Sequence, residues 1–212
     1  MGAFLNSDNK FFTFLSNVTN LIILNLIWIV FCIPVVTIVP ATAAMYYTTM
    51  KMVKKEDPYI VRSFLRSFRQ NFRQGIILSA ILVAVVGLLY VDMQVLQSFP
   101  SKFHLVLLII FYALCALTAV VAAYVCPLLS QFNNTIIATM KNSVIIGLSH
   151  PVKTIVVLGF DAIPIIIFLY WPNYFISTLL FWVLLGFSVI AFVNSVIYSK
   201  IFEKYETVKT ET

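Results

Sequence analysis

The stretch FFTFLSNVTNLIILNLIWIVFCIPVVTIVPATAAMYYTTM, residues 11–50, decides the fold class: 40 consecutive residues separate Lys10 from Lys51 without one charged side chain. A helix crosses the hydrocarbon core of a bilayer in about 20 apolar residues. A run this long has no place on the surface of a water-soluble domain. The rest of the chain agrees, being 61% hydrophobic and 10% charged over 212 residues. An average soluble domain is roughly 45–50% apolar and about 25% charged. Soluble enzymes, disordered chains, collagen-like fibres and disulfide-stapled secreted domains are excluded. The expected fold is all-α: a polytopic membrane helix bundle with about five transmembrane helices plus cytoplasmic amphipathic helices.

Outward from that stretch, charge-poor segments predict spans at about 18–39, 75–96, 105–128, 152–170 and 174–199. Pro34 and Pro40 are expected to bend or end the first span. These spans form a single bundle domain over 1–199, with cytoplasmic elements at 50–73 and 130–150 and a cytoplasmic tail at 200–212. The segment 50–73 carries Lys51, Lys54, Lys55, Arg62, Arg66, Arg69 and Arg73. Lys141 and Lys153 follow in the second connection, and Lys200, Lys204 and Lys209 in the tail. Lys10 and Lys102 fall on the other predicted face. By the positive-inside rule the C-terminus is inside and the N-terminus outside. The net charge of +6 is therefore a topology signal and does not point to nucleic acid. Ala41-Thr42-Ala43 has the look of a signal-peptidase site, but the preceding apolar run is too long and lacks a basic leader.

Within residues 59–74 (YIVRSFLRSFRQNFRQ), Arg62, Arg66, Arg69 and Arg73 recur at helical spacing and form one stripe. Phe64, Phe68 and Phe72, joined by Val61 and Leu65, form another. Asp57 and Pro58 supply a start signal. The apolar face is expected in the membrane interface, the guanidinium row toward anionic lipid headgroups or an acidic partner. A second amphipathic element, residues 130–148, has Ile136, Met140 and Val144 on one face and is expected to pack beneath the bundle. A faint internal echo links the halves: Cys32-Ile33-Pro34 before Thr49-Met50-Lys51, and Cys126-Pro127 before Thr139-Met140-Lys141.

Asp161 is the one acid deep inside a predicted span, about 12 Å along the helix from Lys153. Buried carboxylates in membranes are costly and point to function. Asn25, Asn194 and Thr118 are its candidate neighbours, for a proton- or cation-coupled site or for a hydrogen bond that ties helices together. His150 before Pro151 reads as an interfacial hydrogen-bonder, and His104 stands alone. Trp171, Tyr174, Tyr90, Tyr46 and Tyr47 fit interfacial aromatic belts. Cys32, Cys115 and Cys126 lie in apolar runs without CxxC spacing and read as small hydrophobes. No metal set, phosphate-binding loop, HExxH, GxSxG or acid pair occurs, so no cofactor, metal or catalytic residue is assigned and the protein is expected not to be an enzyme.

Phe31-Cys-Ile-Pro34-Val-Val-Thr37-Ile-Val-Pro40-Ala-Thr-Ala-Ala44, preceded by Asn25-Leu-Ile-Trp28, resembles the leading motif of the YesL-like family of small bacterial membrane proteins of unknown function. Arg62-Ser-Phe64, Arg66-Ser-Phe68, Asn71-Phe72, Pro127-Leu-Leu, Phe132-Asn-Asn-Thr135, Lys141-Asn142 and Leu148-Ser-His150 extend the resemblance from about Phe4 to Tyr170. Val39 departs from it, standing where the family is expected to carry glycine. The resemblance implies a multi-pass protein of the bacterial cytoplasmic membrane, typical of Gram-positive organisms. It also implies an accessory or regulatory role beside a carbohydrate ABC transporter, with the permease subunits as partners. The residues leave two other readings: an autonomous small-solute transporter with Asp161 at its site, and a membrane scaffold.

Overall fold

Pro34 and a 3-10 turn at Val35–Thr37 divide the first apolar stretch in two. Before the break, helix α1 spans Gly2–Cys32; after it, α2 spans Ile38–Val53. The long expected span at 18–39 is thus cut at Cys32, and Pro40 lies in the first turn of α2, where a missing N–H costs nothing. The hydroxyl of Thr37 seals the break by donating to the carbonyls of Phe31 at 2.6 Å and Pro34 at 2.7 Å. The computed structural model describes residues 2–56, 59–98, 104–132 and 134–210, the side chains of 2–11, 97–98, 204 and 206–210 excepted. The start signal Asp57-Pro58 and Lys102 lie outside the described residues, as do the side chains of Lys10, Lys204 and Lys209.

Helix α2 is the hub of the fold. It packs on α1, on α3 (Ile60–Ser98), on α4 (His104–Gln131) and on α9 (Phe187–Thr210). Its sequence explains this: Ala41, Ala43, Ala44, Thr48 and Thr49 are fully buried and small enough to let four helices approach. Thr48 and Thr49 return their hydroxyls to Ala44 and Met45 of their own helix, so polar side chains are buried without loss. The α2–α3 seam is tight at Gly75, where a Cβ would stand 2.6 Å from Pro40 Cβ.

Helix α3 joins two elements that the sequence separates. Residues 60–74 are no separate element; they are the first turns of a 39-residue helix that continues into the expected span. The phenylalanine stripe is the reason. Phe64 is fully buried, and Phe31 of α1 meets Phe64 and Phe68 edge-on at centroid distances of 5.4 and 4.7 Å. Phe64, Leu65 and Phe68 of the apolar face expected in lipid are used by the protein core, while Val61 and Phe72 remain exposed.

Helix α5 (Ile136–Ser149) starts at Thr135, whose hydroxyl accepts the Ala138 N–H at 3.3 Å. Ile136, Met140 and Val144 pack on the core as expected, with buried Thr139 and Ser143 between them. Helix α6 (Pro151–Tyr170) follows, then short α7 (Pro172–Ser177), short α8 (Leu179–Phe181) and a π-helical turn at Trp182–Gly186 leading into α9. The expected tail is no separate segment: α9 runs to Thr210, and Ile201 and Phe202 are buried.

Among the described residues, five helical stretches are long and apolar enough to cross a membrane: Phe12–Cys32, Ile60–Leu96, His104–Gln131, Pro151–Tyr170 and Leu179–Glu203. Among the described residues there is no strand, and the fold is an all-α bundle. The internal echo survives at the level of elements. Long α1, short α2 and long α3 are followed by long α4, short α5 and long α6, and the Thr-Met-Lys triplets fall within α2 and α5 with both threonines fully buried.

The direction of α2 reorganises one end of the bundle. Trp28 of α1 donates to Thr42 near the start of α2, whereas Phe12, Ser16 and Asn20 share a groove with Met52, Val53, Lys55 and Glu56. The two helices are antiparallel. Phe192 and Val196 of α9 line the same groove, while Trp182 and Phe187 meet α1 higher up, at Asn25 and Trp28. The early part of α1, the lysines after α2 and the C-terminal half of α9 therefore gather together.

Candidate functional site

Two groups of candidate residues are brought into usable geometry. Arg62, Arg66, Arg69 and Arg73 are all exposed along the outer face of α3, and none forms an ion pair among the described residues. The nearby acid Glu56 pairs with Lys51 at 3.7 Å instead. Arg62, Arg66 and Arg69 border a surface hollow of about 830 Å³ with Tyr59, Val61 and Leu65. Tyr59 and Val61 are exposed, so guanidinium and apolar groups alternate on one surface. Interface centres are enriched in that mixture of arginine and aromatic side chains. The face is rigid because Phe64 and Phe68 anchor its other side.

The second set is Asp161 and Asn194. Asn194 of α9 is fully buried and its amide donates to Asp161 Oδ1 of α6 at 2.8 Å, while its own Oδ1 is buried without a hydrogen-bond partner. Asp161 forms no ion pair among the described residues. It opens onto a recess of about 230 Å³ lined also by Trp28, Thr42, Tyr46, Pro164 and Phe187. The sequence pairing of these two residues is thus observed as a contact between helices.

The remaining candidates are separated from Asp161. Asn25 is fully buried, but it serves the π-helical turn: its amide donates to the carbonyls of Trp182 at 3.0 Å and Val183 at 2.6 Å, and its oxygen accepts the Ser188 N–H at 2.9 Å. A π turn misaligns backbone groups, and inside a bundle each must find another partner. Asn25 is that partner, so its burial has a structural cause. Thr118 is also away from Asp161, donating to Leu114 of its own helix at 2.8 Å.

Tyr46 does not belong to an aromatic belt. It is buried, edge-on to Tyr198 at 5.5 Å, because α2 lies inside the bundle. Trp171, Tyr174 and Tyr90 are exposed, and Tyr47 sits under the Lys51 ammonium at 5.2 Å. His150 holds the Ile146 carbonyl at 3.4 Å and Tyr205 at 6.3 Å between rings, beside the start of α6. The three cysteines are free, and among the described residues no cluster of His, Cys, Asp and Glu could hold a metal.

Sequence reasoning missed a buried polar lattice. Thr49 and Ser195 lie 2.6 Å apart, Tyr124 and Thr154 2.9 Å apart, and Tyr198 donates to the Ala123 carbonyl at 2.8 Å. The partners come from different helices, so only an isolated hydroxyl amid apolar residues marks them along the chain.

Residues 21–93 match the family model described as "Protein of unknown function, DUF624". They comprise the second half of α1, all of α2 and most of α3, which is the tightly packed seam of the bundle. The match includes the motif around Pro34 and Pro40 and the arginine stripe, and it stops before the resembling stretches at Pro127 and His150. No curated protein and no solved structure is similar to the chain. Over residues 21–93 the chain is thus similar to a family whose description carries no activity.

Proposed function

We propose that this is a non-enzymatic, multi-pass protein of the bacterial cytoplasmic membrane, akin to the YesL-like proteins, that docks onto permease subunits of a carbohydrate ABC transporter as an accessory or regulator. One observation carries the reading: four exposed arginines stand without acidic partners among the described residues, on a helix locked from behind by Phe64 and Phe68. Exposed guanidinium groups beside Tyr59 and Val61 favour an acidic, partly apolar protein surface. The sugar transporter itself comes from the resemblance alone. The test is co-purification of the native chain from its own membranes in mild detergent. Permease subunits recovered at near-stoichiometric amounts support the reading. In the double variant Arg66→Glu, Arg69→Glu, recovery falls more than tenfold while membrane insertion is unchanged; lost insertion identifies the stripe as a lipid anchor instead.

Sidedness enters the same proposal. The lysines beside α2 favour the inside, and the antiparallel course of α1 and α2 places the early part of α1 with them. Both ends of the chain are then cytoplasmic, in place of the outside N-terminus that charge counting alone suggests.

A second reading, transport of a small solute by the protein alone, is favoured by the Asp161–Asn194 contact at the mouth of a recess. Solute flux in liposomes containing the pure protein, abolished by Asp161→Asn, would support it over docking. A scaffold role predicts neither flux nor permease recovery.

A further inference from the structure

The recess at Asp161 has a composition that neither docking nor scaffolding requires. One carboxylate is its only charged group, and no lysine, arginine or histidine among the described residues pairs with it. Its walls include three aromatic rings, Trp28, Tyr46 and Phe187. The rings are held in place: Trp28 Nε1 donates to Thr42 Oγ1 at 3.1 Å and the indole meets Phe187 at 5.0 Å, while Tyr46 abuts Tyr198 at 5.5 Å. Behind the carboxylate, buried Asn194 fixes Oδ1 and leaves its own Oδ1 without a partner.

Each ingredient selects against other ligands. An anion meets a carboxylate and three electron-rich rings. A metal ion meets a single carboxylate and too few further anionic or imidazole ligands. A neutral apolar molecule leaves the carboxylate uncompensated in a water-poor site. An organic ammonium satisfies all of it: its charge pairs with Asp161 and its alkyl groups lie on the rings, the arrangement used wherever aromatic cages hold alkylated ammonium groups.

We propose that the recess bounded by Trp28, Tyr46, Phe187 and Asp161 is a binding site for an organic ammonium group, of the size of tetramethylammonium or choline. The group is supplied by a free amine or by the headgroup of an ethanolamine or choline lipid. The site needs equilibrium binding only. It stands whether or not the protein moves the ligand across the membrane, and co-purification of a permease does not bear on it.

The test is isothermal titration of the purified full chain in uncharged maltoside micelles with tetramethylammonium, choline and the neutral choline isostere 3,3-dimethylbutan-1-ol. Saturable binding of the two cations is expected, with the isostere at least tenfold weaker. Asp161→Asn, which keeps the size of the side chain, is expected to weaken choline at least tenfold, and Trp28→Leu several-fold. Equal binding of cation and isostere overturns the proposal, as does unchanged choline binding in Asp161→Asn or no saturable binding by the wild-type chain. The cation–isostere comparison uses the wild type alone, so it decides the matter even where a variant fails to fold. Doping the micelles with phosphatidylethanolamine, against phosphatidylglycerol as control, identifies the source: competition by the former assigns the site to a lipid headgroup, and its absence to a free amine.

Discussion

Lys55 has a backbone φ of 56°, the left-handed conformation in which a helix commonly ends on glycine. Its N–H bonds to the Met52 carbonyl at 3.1 Å and that of Glu56 to the Lys51 carbonyl at 3.0 Å, so α2 closes with the paired bonds of a Schellman motif. A Cβ in this region costs roughly 1 kcal/mol. Lys55→Gly is therefore expected to stabilise the fold by about 0.5–1 kcal/mol, raising the thermal midpoint of the detergent-solubilised protein. An unchanged or lower midpoint would show that the conformation carries no strain. Nothing in the local sequence, Lys-Lys-Glu-Asp-Pro, announces this motif, because lysine is a poor marker of left-handed backbone. Asn25 is a similar case. An asparagine in an apolar span reads as a partner for Asp161, whereas its three bonds go to Trp182 and Val183 of a π turn and Ser188 of the helix after it, more than a hundred residues away.

At the scale of elements, the α2–α3 seam sets the fold. Pro40 and Gly75 make a close approach, and Ser79 Oγ accepts the Val39 N–H at 3.3 Å beside them, pairing an N–H at the start of α2. Gly75→Leu forces these helices apart. A loss of roughly 2–3 kcal/mol is expected, read as a lower thermal midpoint and a lower yield of monodisperse protein. Retained stability would mean that α2 can shift without cost, against its role as hub. The periodicities of α3 and α5 were legible: arginine and phenylalanine stripes for one, Ile136, Met140 and Val144 for the other. Period identifies an amphipathic helix but not what its apolar face touches, since lipid and protein are equally apolar neighbours. Contact with Phe31 settles that for Phe64 and Phe68.

At the scale of the molecule, the return of α2 along α1 changes the relation between the ends. In intact cells or oriented vesicles, Ser16→Cys and Lys55→Cys, each in a cysteine-free background, are expected to react with an impermeant maleimide from the same side. Labelling from opposite sides would refute the antiparallel pair. Charge counting puts the N-terminus outside on a single span at about 18–39; between Lys10 and Lys51 the structure has most of α1, a turn and most of α2. Spans can be counted from hydropathy, but a short helix of alanines and threonines is apolar enough to merge with its neighbour.

Membrane class, helical content and the approximate spans were determined by the sequence itself, because each follows from hydropathy and period summed along a local window. The exposed arginine row was determined in the same way, at one spacing within one helix. Tertiary structure alone decided that α2 is the hub, that Asn194 and not Asn25 meets Asp161, and that three aromatic side chains from α1, α2 and α9 wall the recess beside it. Asp161 and Asn194 stand 33 residues apart, and Asn25 and Trp182 157 apart. Such partners are chosen by how whole helices pack, and the pattern along any one helix holds no record of that choice.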